Sequence, residues 1–561
     1  MTAPPAAAPP PQTTRPTANA TDTRTPPARP NTNPNDSTND PDSAAEAGGF
    51  WRQWRWWLPV ALLALALAII FADPFAGDWD ALDYTVLAVK GEPSTMLFGR
   101  MLFLFTNHLA YQIAHALFGL RPENAYLLFK YMVVGQSPLA VTACWLLARD
   151  VTGSVRPATI AALLLALSPF FILYSGQAMT EIPSLLLLGA ALVVHLRGLK
   201  KRKLWLVFLG AAMLGTGNNV REVAAIYGVW LVTAPFAFGW RFNRRDLLLM
   251  AATCVVFFVC AFAPWLYYWL GDVGGYREGW YGWVESMRME EGLHPISVKN
   301  FVPLFLFFFI AAPLVLVALP VAAWREWREH RWSPLLVLGA TGMFANLMLI
   351  THYSTVINGR YLLTGLMGVV PLAADYFVRH ESRRARSDWR GFLRAAAGVL
   401  VIGVVINTVF FRMSWPTIQA HGLTKEYRAT LARLPDDAVV MAGGQTVSVT
   451  FYKGVGLGRW DVIGTGGGWP AGKLVETIDW HLREGRRVFV DADPRWWASQ
   501  GWQALETREL IAAAPRFRFR RVTDTVYEIR PADDETARDD PQFEKLLEKP
   551  PTRTQKLREK L

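Results

Sequence analysis

From Trp57 to Phe411 the chain alternates long apolar stretches with short polar connections. Apolar stretches lie at 57–71, 127–147, 157–174, 183–196, 204–216, 223–238, 247–269, 301–323, 334–351, 361–378 and 395–411. An apolar helix of about 20 residues crosses a bilayer, so the pattern predicts a polytopic α-helical membrane protein with about eleven transmembrane helices. A further stretch, 97–118, is interrupted by Arg100, Asn107, His108, Gln112 and His115. It reads as an amphipathic helix lying on the membrane surface.

Charge placement supports that count. With eleven crossings and the N-terminus inside, the inner connections hold 19 Lys and Arg in 47 residues, and the outer ones up to 360 hold 8 in 107. Counting 97–118 as a crossing would put the basic 197–203 and 379–394 loops outside, against the positive-inside rule. Arg52 and Arg55 precede the first stretch and mark an uncleaved anchor with its N-terminus in the cytoplasm.

The two ends differ in character. Residues 1–49 carry 11 of the 36 prolines and almost no large apolar side chain, a composition that cannot offset the entropy of ordering. Beyond 411, short β-rich runs at 438–442, 446–452, 487–491, 516–520 and 525–530 alternate with helical patterns at 424–434, 473–484 and 496–512. This predicts an exported α/β domain over 412–531, followed by a charged, flexible tail at 532–561.

Composition narrows the class. The chain is 52% hydrophobic and 18% charged, with a mean hydropathy of +0.18, which excludes a soluble single-domain enzyme. The net charge of +11 resides largely in inner loops and needs no nucleic acid partner. Cys144, Cys254 and Cys260 all fall in apolar stretches and form no disulfide framework. The 467–473 segment has the GxxxxGK spacing of a phosphate-binding loop, but Leu474 stands where the magnesium-binding hydroxyl belongs. His108 and His115 share a helical face without a third ligand for zinc.

The first outer loop carries Asp73, Asp78, Asp80 and Asp83 within eleven residues, with Asp80, Asp83 and Tyr84 on one helical face. Arg221 and Arg360 stand at outer ends of apolar stretches, where basic residues are otherwise scarce. Each could snorkel to lipid headgroups or grip a phosphate with its two-pronged guanidinium. Glu181, at the start of a stretch, suits a helix N-terminus.

In order and placement these features resemble the GT-C superfamily of membrane glycosyltransferases, in the branch of protein O-mannosyltransferases and lipid A aminoarabinose transferases. The resemblance rests on Asp80-x-x-x-Tyr84, on Leu167-Ser168-Pro169 through Tyr174, Thr180-Glu181 and Pro183, on Gly210 to Arg221, and on Arg360-Tyr361-Leu362-Leu363, and covers 50–411. Where this chain has Asp80-Ala81 the family usually has Asp-Glu, and where it has Glu181 often Asp.

The resemblance implies an inverting transferase of the bacterial inner (plasma) membrane. It would move a sugar from a polyprenyl-phosphate donor to a hydroxyl of an exported lipid, glycan or protein. It also implies a catalytic base among Asp80, Asp78 and Asp83, donor phosphate contacts from Arg100, Arg221, Arg360 and Tyr361, and sugar or acceptor contacts from Tyr84 and Glu181. No cofactor is expected, with Mg or Mn at the acidic loop as the alternative. Low dielectric and neighbouring carboxylates are expected to raise the base's pKa. A transporter of lipid-linked saccharides would show mid-membrane charges or inverted repeats. The other alternative is a non-catalytic envelope assembly factor whose α/β domain recruits partners, and the acidic loop counts only weakly against it.

The topology has a direct test. Single cysteines placed in the 197–203 loop should react with impermeant reagents only from the cytoplasmic side, and one at Gly464 only from the exported side. Labelling of the first from outside would overturn the arrangement.

Overall fold

A computed structural model describes residues 53–72, 79–96, 98–289, 301–352, 359–420, 425–441, 446–463, 473–491, 516–523 and 526–533. Asp73, Asp78, the 464–472 stretch and the helical pattern at 496–512 lie outside the described residues, as do 1–49 and the tail beyond 533. The helices are α1 (Trp54–Ile70), α2 (Trp79–Lys90), α3 (Met101–Phe118), α4 (Ala125–Thr152), α5 (Val155–Ala166), α6 (Pro169–Ser175), α7 (Glu181–Lys201) and α8 (Leu204–Asn218). They continue as α9 (Gly228–Ala237), α10 (Arg244–Gly271), α11 (Tyr276–Met289), α12 (Phe301–Ala311), α13 (Pro313–Glu329), α14 (Pro334–His352), α15 (Leu362–Ala385) and α16 (Asp388–Ala420).

By length and composition, five helical segments suffice to cross a bilayer: 122–152, 181–201, 244–271, 359–385 and 388–413. Two bent pairs, α5–α6 at 66° and α12–α13 at 108°, and four shorter apolar helices occupy the other apolar stretches. The 301–323 and 157–174 stretches are therefore broken where the hydropathy pattern alone suggests a single rod. Proline explains both breaks. Pro169 and Pro313 each open a new helix, and the residue before a proline is driven out of helical conformation. The carbonyl of Leu167 at the first break is not left bare, because Asn407 Nδ2 of α16 donates to it at 2.8 Å.

Helix α3 has two unlike faces. Phe105, Leu109, Ile113 and Leu117, four residues apart, are exposed, while Phe103, Leu104, Asn107 and Tyr111 are buried. One face meets protein and the other presents an exposed apolar stripe.

The C-terminal region holds a five-stranded sheet of β1 (Val439–Met441), β2 (Asp461–Ile463), β3 (Val488–Asp491), β4 (Phe517–Arg521) and β5 (Val526–Pro531) in the order β2-β1-β3-β5-β4. β1 pairs parallel with β2 and β3, and β5 pairs antiparallel with β3 and β4. Three helices accompany it: α17 (Lys425–Leu431), α18 (Thr446–Gly454) and α19 (Lys473–Arg483). The 446–452 run, β-rich by composition, is thus helical. Ser448, Val449, Phe451, Tyr452 and Val455 are all buried, a helical spacing that no strand could satisfy on one face. Parallel β1 and β2 also require a crossover, which α18 supplies.

One face of the sheet packs Val440, Phe489 and Val526 with Val449, Phe451 and Trp460, and this cluster includes Leu82 of α2. The sheet therefore braces the helix that carries the acidic loop's Asp80.

Helix packing offers a stability test. A Cβ on Gly342 of α14 would lie 2.6 Å from the Gly365 carbonyl and 2.8 Å from Gly368 Cα in α15. Gly342→Ala should destabilise by about 1–3 kcal/mol through overpacking. Gly398→Ala, facing open space, should not. Equal melting temperatures for both variants would contradict this packing.

Candidate functional site

Helix α2 divides its side chains between the sheet and a group of arginines. Leu82 and Val86, four apart, meet the sheet. Thr85 is buried and donates to the Ala81 carbonyl at 2.7 Å. Asp80 and Tyr84, again four apart, meet a group of arginines from distant segments. Arg360 donates to Asp80 Oδ2 at 2.8 Å, and Arg100 approaches the same oxygen at 3.9 Å. The guanidinium of Arg100 also lies 4.9 Å from the Tyr84 ring centre, within cation–π range.

The third arginine, Arg221, pairs closely with Glu181, the first residue of α7. Arg360 Nε reaches the same carboxylate at 3.8 Å. Both guanidiniums lie 5.3 Å from the ring of Tyr361, and Arg360 donates to the Tyr361 hydroxyl at 3.5 Å. Asp80, Tyr84, Arg100, Glu181, Arg221, Arg360 and Tyr361, named separately along the sequence, thus form one cluster. Arg221 is 2% exposed and Arg100 7%, so neither snorkels to headgroups.

Local backbone sets these positions. Arg100 has φ 46°, in the left-handed region, directly after Gly99 at φ 81°. Non-glycine residues held there tend to mark sites where strain is tolerated for function. Gly359 passes beneath the Phe170 ring, where a Cβ would lie 2.0 Å from Cζ, and so admits Arg360 close to α6.

One member is absent from the sequence reading. Glu222 is paired with Arg100 at 3.5 Å, and its side chain is 12% exposed. Three converging guanidiniums need carboxylates nearby, and the acidic residue following Arg221 in the same turn was the signal for it. With Asp80, Glu181 and Glu222, the cluster holds three carboxylates against three arginines among the described residues.

Electrostatics reverse one expectation. Burial pushes the Asp80 carboxyl upward, but the charges of Arg360, Arg100 and Arg221 and the hydrogen bond from Arg360 together outweigh it. Asp80 is held below the usual carboxylate range, not raised. Asp83, one turn further and partly exposed, is pushed upward by partial withdrawal from water and by the Asp80 charge. Among the described residues no group of three or more His, Cys, Asp or Glu is arranged to hold a metal ion.

Beside the cluster lies a groove of about 320 Å³. Met101, Leu102, Leu104 and Phe105 of α3 line one side, and Cys260, Pro264 and Tyr268 of α10 the other. Asn219, two residues from Arg221, and Met101, next to Arg100, set this apolar groove against the arginines.

Residues 88–268 match the family model of dolichyl-phosphate-mannose-protein mannosyltransferases, a span that includes Arg100, Glu181 and Arg221. ArnT from Cupriavidus metallidurans bound to undecaprenyl phosphate superposes with a TM-score of 0.54 at 14% identity, over 87% of this chain and 100% of ArnT. In the apo state ArnT gives 0.51 at 14% identity, over 85% of this chain and 97% of ArnT. No curated protein matches. Over 88–268 the chain is thus similar to that mannosyltransferase family, and its fold is similar to that of ArnT. The resemblance drawn from its motifs to the mannosyltransferase branch holds.

The Asp80 ion pairs carry a pH signature. Its folded pKa lies below the unfolded value of about 3.9, so the carboxylate stabilises the fold above that pH and loses this as pH falls through the folded value. Asp80→Asn should lower the melting temperature most near neutrality, and the gap to wild type should close below about pH 4. A gap independent of pH would contradict the pairing.

Proposed function

We propose that the protein is an inverting glycosyltransferase acting at the outer face of a bacterial plasma membrane. Its donor is a sugar on a polyprenyl phosphate, and its acceptor a hydroxyl of an exported lipid, glycan or protein. The observation that carries this reading is the convergence of Asp80 with Arg100, Arg221 and Arg360 beside an apolar groove. The undecaprenyl phosphate bound to ArnT supports the choice of donor. The chain crosses the membrane eleven times, with the N-terminus inside and the C-terminal sheet outside. Arginines neutralise the leaving group, so no metal is required.

In this reading the groove takes the prenyl chain and the guanidiniums take the phosphate. The acceptor oxygen bonds to the anomeric carbon from the face opposite the phosphate. The bond from that carbon to the phosphate oxygen breaks, and the carrier phosphate leaves with the electron pair onto the arginines. Asp80 takes the acceptor proton. A carboxylate held low by three cations is a poor base. An arriving phosphate competes for Arg360 and Arg100, weakens their hold on Asp80, and lets its pKa rise before the acceptor is activated. Glu181 and Glu222 keep Arg221 and Arg100 in place meanwhile.

Transfer of radiolabelled sugar from a polyprenyl-phosphate donor tests this. Asp80→Asn should lower turnover by about 10²–10⁴-fold, the range for a lost general base. The same variant should bind undecaprenyl phosphate at least as tightly as wild type, because a competing anion is gone. Arg360→Lys should weaken that binding, having lost the two-pronged contact. Undiminished turnover in Asp80→Asn would place the base elsewhere, with Asp83 next to be replaced.

A further inference from the structure

We infer that Asn219 is a positioning residue that holds Arg100 and Arg221 in register with the groove. The inference rests on the reading that these arginines hold the donor phosphate. Pro264 lies inside α10 and has no N–H for the carbonyl four residues earlier, which belongs to Cys260. Asn219 Nδ2 donates to that carbonyl at 2.9 Å, and Asn218 Nδ2 donates to the next one, Ala261, at 3.1 Å. The backbone carbonyl of Asn219 accepts from the N–H of Leu102 at 2.9 Å.

One residue thereby joins the end of α8, the proline position of α10 and the start of α3. Arg221 follows it by two positions, and Arg100 precedes its backbone partner by two. The approach needs Gly215, where a Cβ would lie 2.3 Å from the Phe257 carbonyl of α10. Asn219 is 3% exposed and lines the groove. Its amide satisfies a carbonyl that the proline exposes, at the point where the two arginine-bearing segments meet.

Stability and positioning can be separated. Pro264→Ala restores an N–H for the Cys260 carbonyl within α10. In full-length protein in detergent, Asn219→Ala should weaken undecaprenyl phosphate binding about tenfold and lower the melting temperature. Adding Pro264→Ala should restore the melting temperature and leave the binding weak. Recovery of both in the double variant would reduce Asn219 to a structural role and overturn the inference, as would undiminished binding in Asn219→Ala. Arg221→Ala in the same assay separates the two readings. If it binds undecaprenyl phosphate as wild type does, the phosphate site itself fails. If it binds weakly while Asn219→Ala does not, only the positioning role fails.

Discussion

Three guanidinium groups are brought together among apolar helices, and this constraint organises the rest. Like charges withdrawn from water repel strongly, and each loses its hydration. The assembly is tenable because Asp80, Glu181 and Glu222 lie among Arg100, Arg221 and Arg360. Such a network is a weak source of net stability, since desolvation offsets most of the attraction. Its consequence is geometric. Removing any one member leaves an uncompensated charge, so the segments bearing them must all arrive at the same place.

The scaffold meets that demand with prolines and glycines more than with long rods. Pro169 opens the short helix whose Phe170 covers Gly359, and the next residue, Arg360, reaches Asp80. Glu181 starts α7, where the helix dipole favours its negative charge and Arg221 completes the pairing. Helix α2, which carries Asp80, is anchored through Leu82 in the core beneath the sheet. The C-terminal region thus braces the site through α2, and among the described residues none of its side chains joins the cluster.

Hydropathy and charge bias made the helical segments legible, because lipid-facing and buried faces are both apolar and the connections carry most of the charge. The arginines stood out for the same reason, as basic residues in connections where the charge pattern leaves few of them. What stayed hidden depended on neighbours supplied by folding. Glu222 reads as an ordinary turn residue until Arg100 is beside it. The 446–452 run has strand composition, yet parallel pairing of β1 with β2 makes it a crossover helix. The pKa of Asp80 was expected to rise with its acidic neighbours in the sequence. In the fold three arginines are its stronger neighbours, and they come from up to 280 residues away.

That reversal bears on how a transferase could keep its base inactive between turnovers. A carboxylate with a raised pKa, open to water beside an activated sugar, would promote hydrolysis as readily as transfer. One paired with Arg360 is a weaker base until something competes for the arginine. A phosphate is the natural competitor, since a guanidinium matches its oxygens as well as it matches a carboxylate. Lysine would supply the charge but not two fixed donors at once. In the proposed reaction the arginines assigned to the leaving group therefore also govern when Asp80 becomes basic, so that binding and activation are one electrostatic event.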